Sequence, residues 1–143
     1  MFAPSQEQVR RFFCEAWQKH RAGQPLTPLE AQAADWIAEH PEYHGDLADV
    51  DVAVAAQYSV EEGRTNPFLH LSMHLSLTEQ VSIDQPRGIK QAVELLAARR
   101  GSLHAAHHEA MEALGEMVWA AQRSGQPFDG QAYIDRVRMA ATR

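Results

Sequence analysis

The chain has 143 residues, of which 45% are hydrophobic and 22% are charged, as in an ordinary soluble globular protein. Its 13 Lys and Arg against 19 Asp and Glu give a formal charge of −6, which argues against nucleic-acid binding because that needs a basic surface. The single cysteine, Cys14, excludes an intrachain disulfide and a cysteine-rich zinc site.

Helix signals divide the N-terminal part of the chain. Ser5 followed by Gln8 is a capping-box pattern, which predicts the start of a first helix. Thr27 is followed by Pro28 in the first helical turn and by Glu30 at the third helical position, which is a capping-box pattern. A second helix is therefore predicted from there to about Glu39. Pro41 prevents that helix from continuing, because proline lacks an N–H and clashes with the preceding turn. A short turn through PEYHGDL is expected to follow.

The stretch DVDVAVAAQYS is ambiguous, and a short helix and an extended connector are both open for it. Asn66 then caps a helix over 67–83, and further capping residues predict a helix through IKQAVELLAARR, one over 102–124, and a last one that begins at Asp129. No second strand pattern exists. The sequence therefore predicts an all-α protein, a single domain over residues 1–143, built as a bundle of five or six helices.

The N-terminus MFAPSQEQVRRFF lacks the pattern of a signal peptide, and no apolar run approaches the roughly 18 residues of a membrane span. We therefore expect a cytoplasmic protein with no membrane contact. Trp17, Trp36 and Trp119 stand at helical spacing among apolar neighbours and are predicted to lie in the core. Cys14 is predicted to be a small buried hydrophobe.

Histidine is the most informative residue type in the chain. Of the eight histidines, seven fall into three clusters, and each cluster contains a pair four residues apart. The pairs are His40 with His44, His70 with His74, and His104 with His108, and His107 lies inside the last pair. Positions i and i+4 of an α-helix share one face, with Cβ atoms about 5–6 Å apart. Two imidazoles placed in this way can bind one metal ion together.

The pair His70 and His74 is the strongest of the three. The predicted helix over 67–83 is apolar around most of its circumference, so most of it should be buried. A buried imidazole needs a partner for each ring nitrogen. Metal ligation by one nitrogen and a hydrogen bond from the other would meet that need.

The other two pairs differ in their surroundings. His104, His108 and Glu112 step by four along one stripe of a helix, which adds a carboxylate to the possible ligands. His107 lies instead on the stripe of apolar residues that is expected to face the core. Between His40 and His44 the helix is broken by a proline, so only one of these two is expected to point inward.

The sequence therefore predicts a metal site contributed by three segments. Its expected ligands are His70, His74, His104 and His108, with Glu112 to bridge or complete the sphere and a further ligand from His40 or His44. Nitrogen-rich ligation with a carboxylate suits zinc or iron, as one ion or as a pair. An ion with an open position would support hydrolysis, or oxygen chemistry in the case of iron. Nothing in the sequence selects a reaction.

Two other interpretations remain open. The histidines can form a buried hydrogen-bond network with Glu and Tyr side chains in a non-catalytic interaction or regulatory protein. Such a protein would bury its apolar helices in a homodimer or against a protein partner. Alternatively, histidine titration near neutral pH can serve a pH or metal sensor.

The segments HPEYH, NPFLHLSMHLSLTEQVSIDQPRGI and HHEAMEALGEMVWAAQR, in this order, resemble a family of short proteobacterial proteins. That family is the domain of unknown function eighteen-forty-one, and the resemblance extends over nearly the whole chain. It implies a bacterial cytoplasmic helical protein whose histidine segments coincide with its motifs. It brings no activity, cofactor or functional residue with it.

Overall fold

The computed structural model describes residues 5–58 and 66–143, which form seven α-helices and one short 3-10 helix. The α-helices are α1 (Gln6–Arg21), α2 (Pro28–Ala38), α3 (Val50–Ala55), α4 (Pro67–Ile83), α5 (Ile89–Arg100), α6 (Leu103–Ser124) and α7 (Gly130–Ala140). The 3-10 helix is Pro41–Tyr43. The all-α prediction is confirmed for these ranges, which contain no strand. The predicted number of five or six helices is wrong by one or two.

The helix α3 accounts for the difference in number, because its sequence alternates as a strand would. Its ends are fixed by side chains that lie far apart in the chain. The Asp49 carboxylate caps the N-terminus by accepting from two backbone N–H groups. At the other end, Arg10 Nη1 donates to the carbonyl oxygens of Ala53, Val54 and Ala56, at 2.7–3.3 Å. Because Arg10 and Ala53 are 43 residues apart in the chain, their contact leaves no pattern in the local sequence of α3.

The other helix boundaries follow the capping residues found in the sequence. Ser5 and Thr27 each form a complete capping box, and the Asn66 side chain accepts from two N–H groups of the first turn of α4. Gly101 and Gly125 end α5 and α6 in the left-handed conformation, which glycine adopts without steric cost. These local predictions are confirmed.

The chain divides into two compact units, unit 1 (Met1–Leu75) and unit 2 (Ser76–Arg143), and the boundary falls within α4. In unit 1, residues of α1, α2 and the first half of α4 share a core. Its larger buried members are Phe13, Cys14, Trp17, Ile37, Tyr43, Leu47, Phe68 and Leu71. The predictions for Trp17 and Cys14 are therefore confirmed. The single-domain prediction stays a prediction.

Unit 2 has its own buried residues along α5, α6 and α7. They include Ile89, Val93, Leu96, Ala110, Met111, Tyr133, Ile134 and Val137. The predicted core position of Trp119 is wrong: its side chain is 59% exposed, and the Arg123 guanidinium lies over its ring at 5.0 Å. In the described ranges, no helix has both the length and the apolar character to cross a membrane.

The connection between α4 and α5 depends on Asp84. Its backbone has φ +53°, in the left-handed region that most side chains avoid. Its carboxylate accepts from the N–H groups of Gly88 at 3.0 Å and Lys90 at 3.1 Å. These two bonds, with that from Lys90 the larger contribution, hold the pKa of the Asp84 carboxyl below its usual value.

We expect Asp84→Ala to lower the free energy of unfolding, because it removes the acceptor and places a residue that disfavours positive φ. Asp84→Asn keeps an acceptor and tolerates positive φ, so at pH 7 it should lower the free energy of unfolding less than Asp84→Ala does. The folded pKa lies below the unfolded value of about 3.9, so the carboxylate's contribution is present above that pH and disappears as the pH falls through the folded pKa.

Urea unfolding of the three proteins between pH 3 and pH 7 measures both effects. The difference between wild type and Asp84→Asn should shrink on acidification. A difference that stays constant over this range would show that the charge of Asp84 is not involved.

Candidate metal centre

Two backbone carbonyls at the end of α2 accept hydrogen bonds from histidine side chains. His40 precedes a proline, which disfavours the helical conformation, and its backbone has φ −128° and ψ 67°. The carbonyl oxygen of Trp36 lies 2.7 Å from Nδ1 of His40. The carbonyl oxygen of Ile37 lies 2.9 Å from Nε2 of His44, where a continued helix would have used the N–H that Pro41 lacks. Both histidines of HPEYH therefore help to end α2.

This arrangement sets the tautomer of His40. A carbonyl oxygen only accepts, so Nδ1 of His40 carries the proton that it donates to Trp36. In the neutral ring, Nε2 then carries the lone pair that a metal ion requires. Donation from the second nitrogen to a backbone carbonyl is also the usual support of a histidine ligand. His44 has the opposite assignment, because its Nε2 is the donor to Ile37.

Three imidazole nitrogens meet in unit 1. Nε2 of His40 lies 3.2 Å from Nε2 of His70 and 3.3 Å from Nε2 of His74, and the latter two lie 3.2 Å apart. We call this group the histidine triangle. His70 and His74 come from successive turns of α4, as their spacing predicts, whereas His40 comes from the end of α2.

Aromatic rings surround the histidine triangle. Trp36 stacks on His74 with ring centroids 4.1 Å apart, and Tyr43 stacks on His40 at 5.3 Å with the rings nearly parallel. His40 is 1% exposed and His74 is 0% exposed. Burial raises the pKa of the Tyr43 hydroxyl, with further contributions from the nearby carboxylates of Glu42 and Asp46. These surroundings exclude water from two of the three rings.

Unit 2 contains a second pair of facing imidazoles. Nε2 of His104 and Nε2 of His108 lie 3.2 Å apart on α6, and both side chains are partly buried. Between them in the sequence, His107 is buried, as its core stripe predicts. Burial, followed by the neighbouring His108 and His104, lowers the pKa of His107 to about 4. His107 is therefore neutral at physiological pH.

The other predicted ligands, His44 and Glu112, have contacts of their own. His44 stacks against Trp17 at 4.5 Å and is engaged by the carbonyl of Ile37. Glu112 is exposed and lines a cavity of about 360 Å³ in unit 2, together with Glu116 and Arg136, which are ion-paired to each other. Neither residue joins the histidine contacts described above.

In unit 1, His40 and His74 have ring nitrogens within 4.8 Å of each other, close enough to bind one metal ion. The same holds for His104 and His108 in unit 2. A buried histidine cluster that can hold a metal ion, or form a hydrogen-bond network, is therefore a property of this chain. Cys14 is no competitor as a ligand, because burial, with contributions from Glu15 and Asp49, raises the pKa of its thiol to about 11.

Two residues of this region were not predicted as part of it. Trp36 was expected only in the core, and no role was expected for Tyr43. A local signal exists for both, since Trp36 stands four residues before His40 and Tyr43 three residues after it. Such spacing places a ring near a histidine at a helix end, although it does not reveal which of them stacks on an imidazole from another helix.

Comparison with known proteins adds a family and no activity. The model of the family described as Domain of unknown function (DUF1841) matches residues 5–139. Searches of the curated proteins and of the solved structures give no significant match. The match covers nearly the whole chain and agrees with the resemblance of the motifs HPEYH and NPFLHLSMH. This protein therefore belongs to the family of domain of unknown function 1841.

Proposed function

We propose that this protein binds a transition metal ion, zinc or iron, and that Nε2 of His40, His70 and His74 are its ligands in unit 1. The observation that supports this most strongly is the mutual contact of the three nitrogens at 3.2–3.3 Å. Imidazole nitrogen suits both zinc and iron, whereas magnesium and calcium prefer oxygen.

Hydrogen bonds cannot occupy all three contacts of this triangle. Each Nε2 either carries a proton or carries a lone pair, so among three mutually contacting nitrogens at least two are of the same kind. Two nitrogens of one kind cannot form a hydrogen bond with each other, and one contact of the triangle is therefore left without one. A central cation accepts all three lone pairs at once.

The size of the triangle also fits a metal ion. Zinc–nitrogen bonds of about 2.0–2.1 Å in a tetrahedral site place neighbouring ligand nitrogens about 3.3–3.4 Å apart. The observed separations of 3.2–3.3 Å are within 0.2 Å of that value. Three protein ligands leave a fourth position, which is the arrangement found in catalytic zinc sites. No reaction follows from three imidazoles alone.

We further propose that His104 and His108 bind metal, as their i, i+4 spacing predicts. Their facing Nε2 atoms, 3.2 Å apart, have the separation of two ligands of one ion. Two ligands hold a metal ion weakly, so this pair needs further ligands from the protein or from water. A single ion shared with the other predicted ligands and a second ion are the two arrangements to be distinguished.

The second candidate function is a structural one. The bonds of His40 and His44 to the carbonyls at the end of α2 are those of histidines that stabilise a helix terminus. In this case the protein is a non-catalytic interaction or regulatory protein, with a homodimer or another protein as its partner. It would then show no dependence on metal.

We expect protein purified without a histidine tag to contain zinc or iron near one ion per chain or above, measured by elemental analysis. His70→Ala should lower the affinity at least about 100-fold, since even supporting residues of metal sites contribute 10–100-fold. His20→Ala is the control, because His20 is exposed and lies outside the triangle. Metal-free protein whose Tm is unchanged by added zinc or iron would favour the structural candidate.

We expect Co²⁺ to report the geometry of the triangle through its visible absorption, which is intense for a four-coordinate ion. The paramagnetic ion should also quench the fluorescence of Trp36, because this ring stacks on His74. Trp36→Phe should remove most of the quenching, whereas Trp119→Phe should not, since the Trp119 side chain is exposed. Equal quenching in both variants would place the ion elsewhere.

We expect the double variant His104→Ala/His108→Ala to lower the number of bound ions or their affinity. Glu112→Gln tests the predicted carboxylate ligand, and Glu116→Gln is its control because Glu116 is ion-paired to Arg136. Elemental analysis and zinc titration of these proteins measure the effect. Unchanged metal content and affinity in the double variant would restrict the metal site to unit 1.

A further inference from the structure

Arg10 carries a buried positive charge that no carboxylate of the described ranges neutralises. Its side chain belongs to a residue that is 7% exposed, and its Nη1 donates to three carbonyl oxygens at the end of α3. The rings of Tyr58 and Phe68 lie 5.6 Å and 5.3 Å from its guanidinium carbon. Carbonyl dipoles and aromatic faces stabilise this charge, but they carry no net negative charge of their own.

A cavity of about 280 Å³ in unit 1 is lined by Arg10 together with polar side chains and Leu69. The polar members are Gln6, Asn66 and Ser72. Next to it lies a second cavity of about 320 Å³ with an almost entirely apolar lining, to which Phe12, Leu29 and Leu75 contribute. Val9 and Ser72 line both cavities, so the two adjoin.

We propose that these adjoining cavities bind a small amphipathic carboxylate, with its carboxylate at Arg10 and its alkyl or aryl tail against Phe12 and Leu75. Arginine is the side chain best suited to a carboxylate, because its planar N–H groups match the two oxygens. A pocket with apolar walls and one well-placed charge is the usual form of a small-molecule site.

This carboxylate site is separate from the histidine triangle. Its residues on α4 are Phe68, Leu69, Ser72 and Leu75, whereas the triangle uses His70 and His74. The carboxylate proposal therefore does not depend on metal binding. Either can fail while the other holds.

Isothermal titration of the full chain with octanoate, octanol and acetate tests the proposal. Octanoate should bind at least about tenfold more tightly than octanol, because a charge-assisted hydrogen bond to Arg10 is lost with the alcohol. Acetate should bind at least about tenfold more weakly than octanoate, because it lacks the tail. Equal binding of octanoate and octanol would remove the role of Arg10, and absence of octanoate binding would overturn the proposal.

Two pairs of variants locate the ligand without disturbing the core, since Leu69 and Leu29 are 60% and 52% exposed. Leu69→Glu supplies an internal carboxylate at the Arg10 cavity and should lower octanoate affinity at least about tenfold, whereas Leu69→Gln should lower it less. Compared with Leu29→Gln, Leu29→Glu should lower the affinity for octanoate more than the affinity for acetate. Unchanged octanoate affinity in both glutamate variants would show that it binds elsewhere.

Discussion

The end of α2 before Pro41 is the structural constraint on which the histidine triangle depends. A helix that continued through this point would have placed His40 and His44 on one face, as an isolated i, i+4 pair. Because proline offers no N–H and restricts the residue before it, α2 ends and His40 leaves the helical conformation. The carbonyls exposed by the break then determine what the two imidazoles do.

The same break prepares His40 for its position in the triangle. Donation from Nδ1 to the carbonyl of Trp36 leaves the Nε2 lone pair directed away from α2, where it meets His70 and His74. The residue that helps to end α2 thus presents its other nitrogen to α4. At His40, one hydrogen bond helps to end α2 and also sets the tautomer that the proposed metal site requires.

The sequence predicted most of the fold and about half of the candidate site, and the difference between them is physical. Helix ends depend on residues within three or four positions, so Ser5, Thr27 and Gly101 were sufficient to locate them. Helix α3 was ambiguous because Arg10, which caps its end, comes from another helix. Trp119 was misplaced because apolar spacing does not reveal which face of a helix stays exposed.

The site shows the same limit. The pair His70 and His74 was predictable, because both residues lie on one helix and their spacing is local. The choice of His40 over His44 was not, since it depends on which carbonyl each ring reaches after the break. The stacking of Trp36 on His74 was also not predictable, because it joins α2 to α4.

Charge balance gives the proposed triangle its chemical character. Three imidazoles are neutral ligands, so a divalent ion bound by them keeps its full charge in surroundings from which aromatic rings exclude water. An anion at the fourth position would lower that charge, and a metal-bound water gains acidity for the same reason. The carboxylate that the sequence suggested, Glu112, lies beside Arg136 in its own groove. Because neutral imidazoles do not lower that charge, an anionic fourth ligand would stabilise a bound divalent ion more than a neutral one.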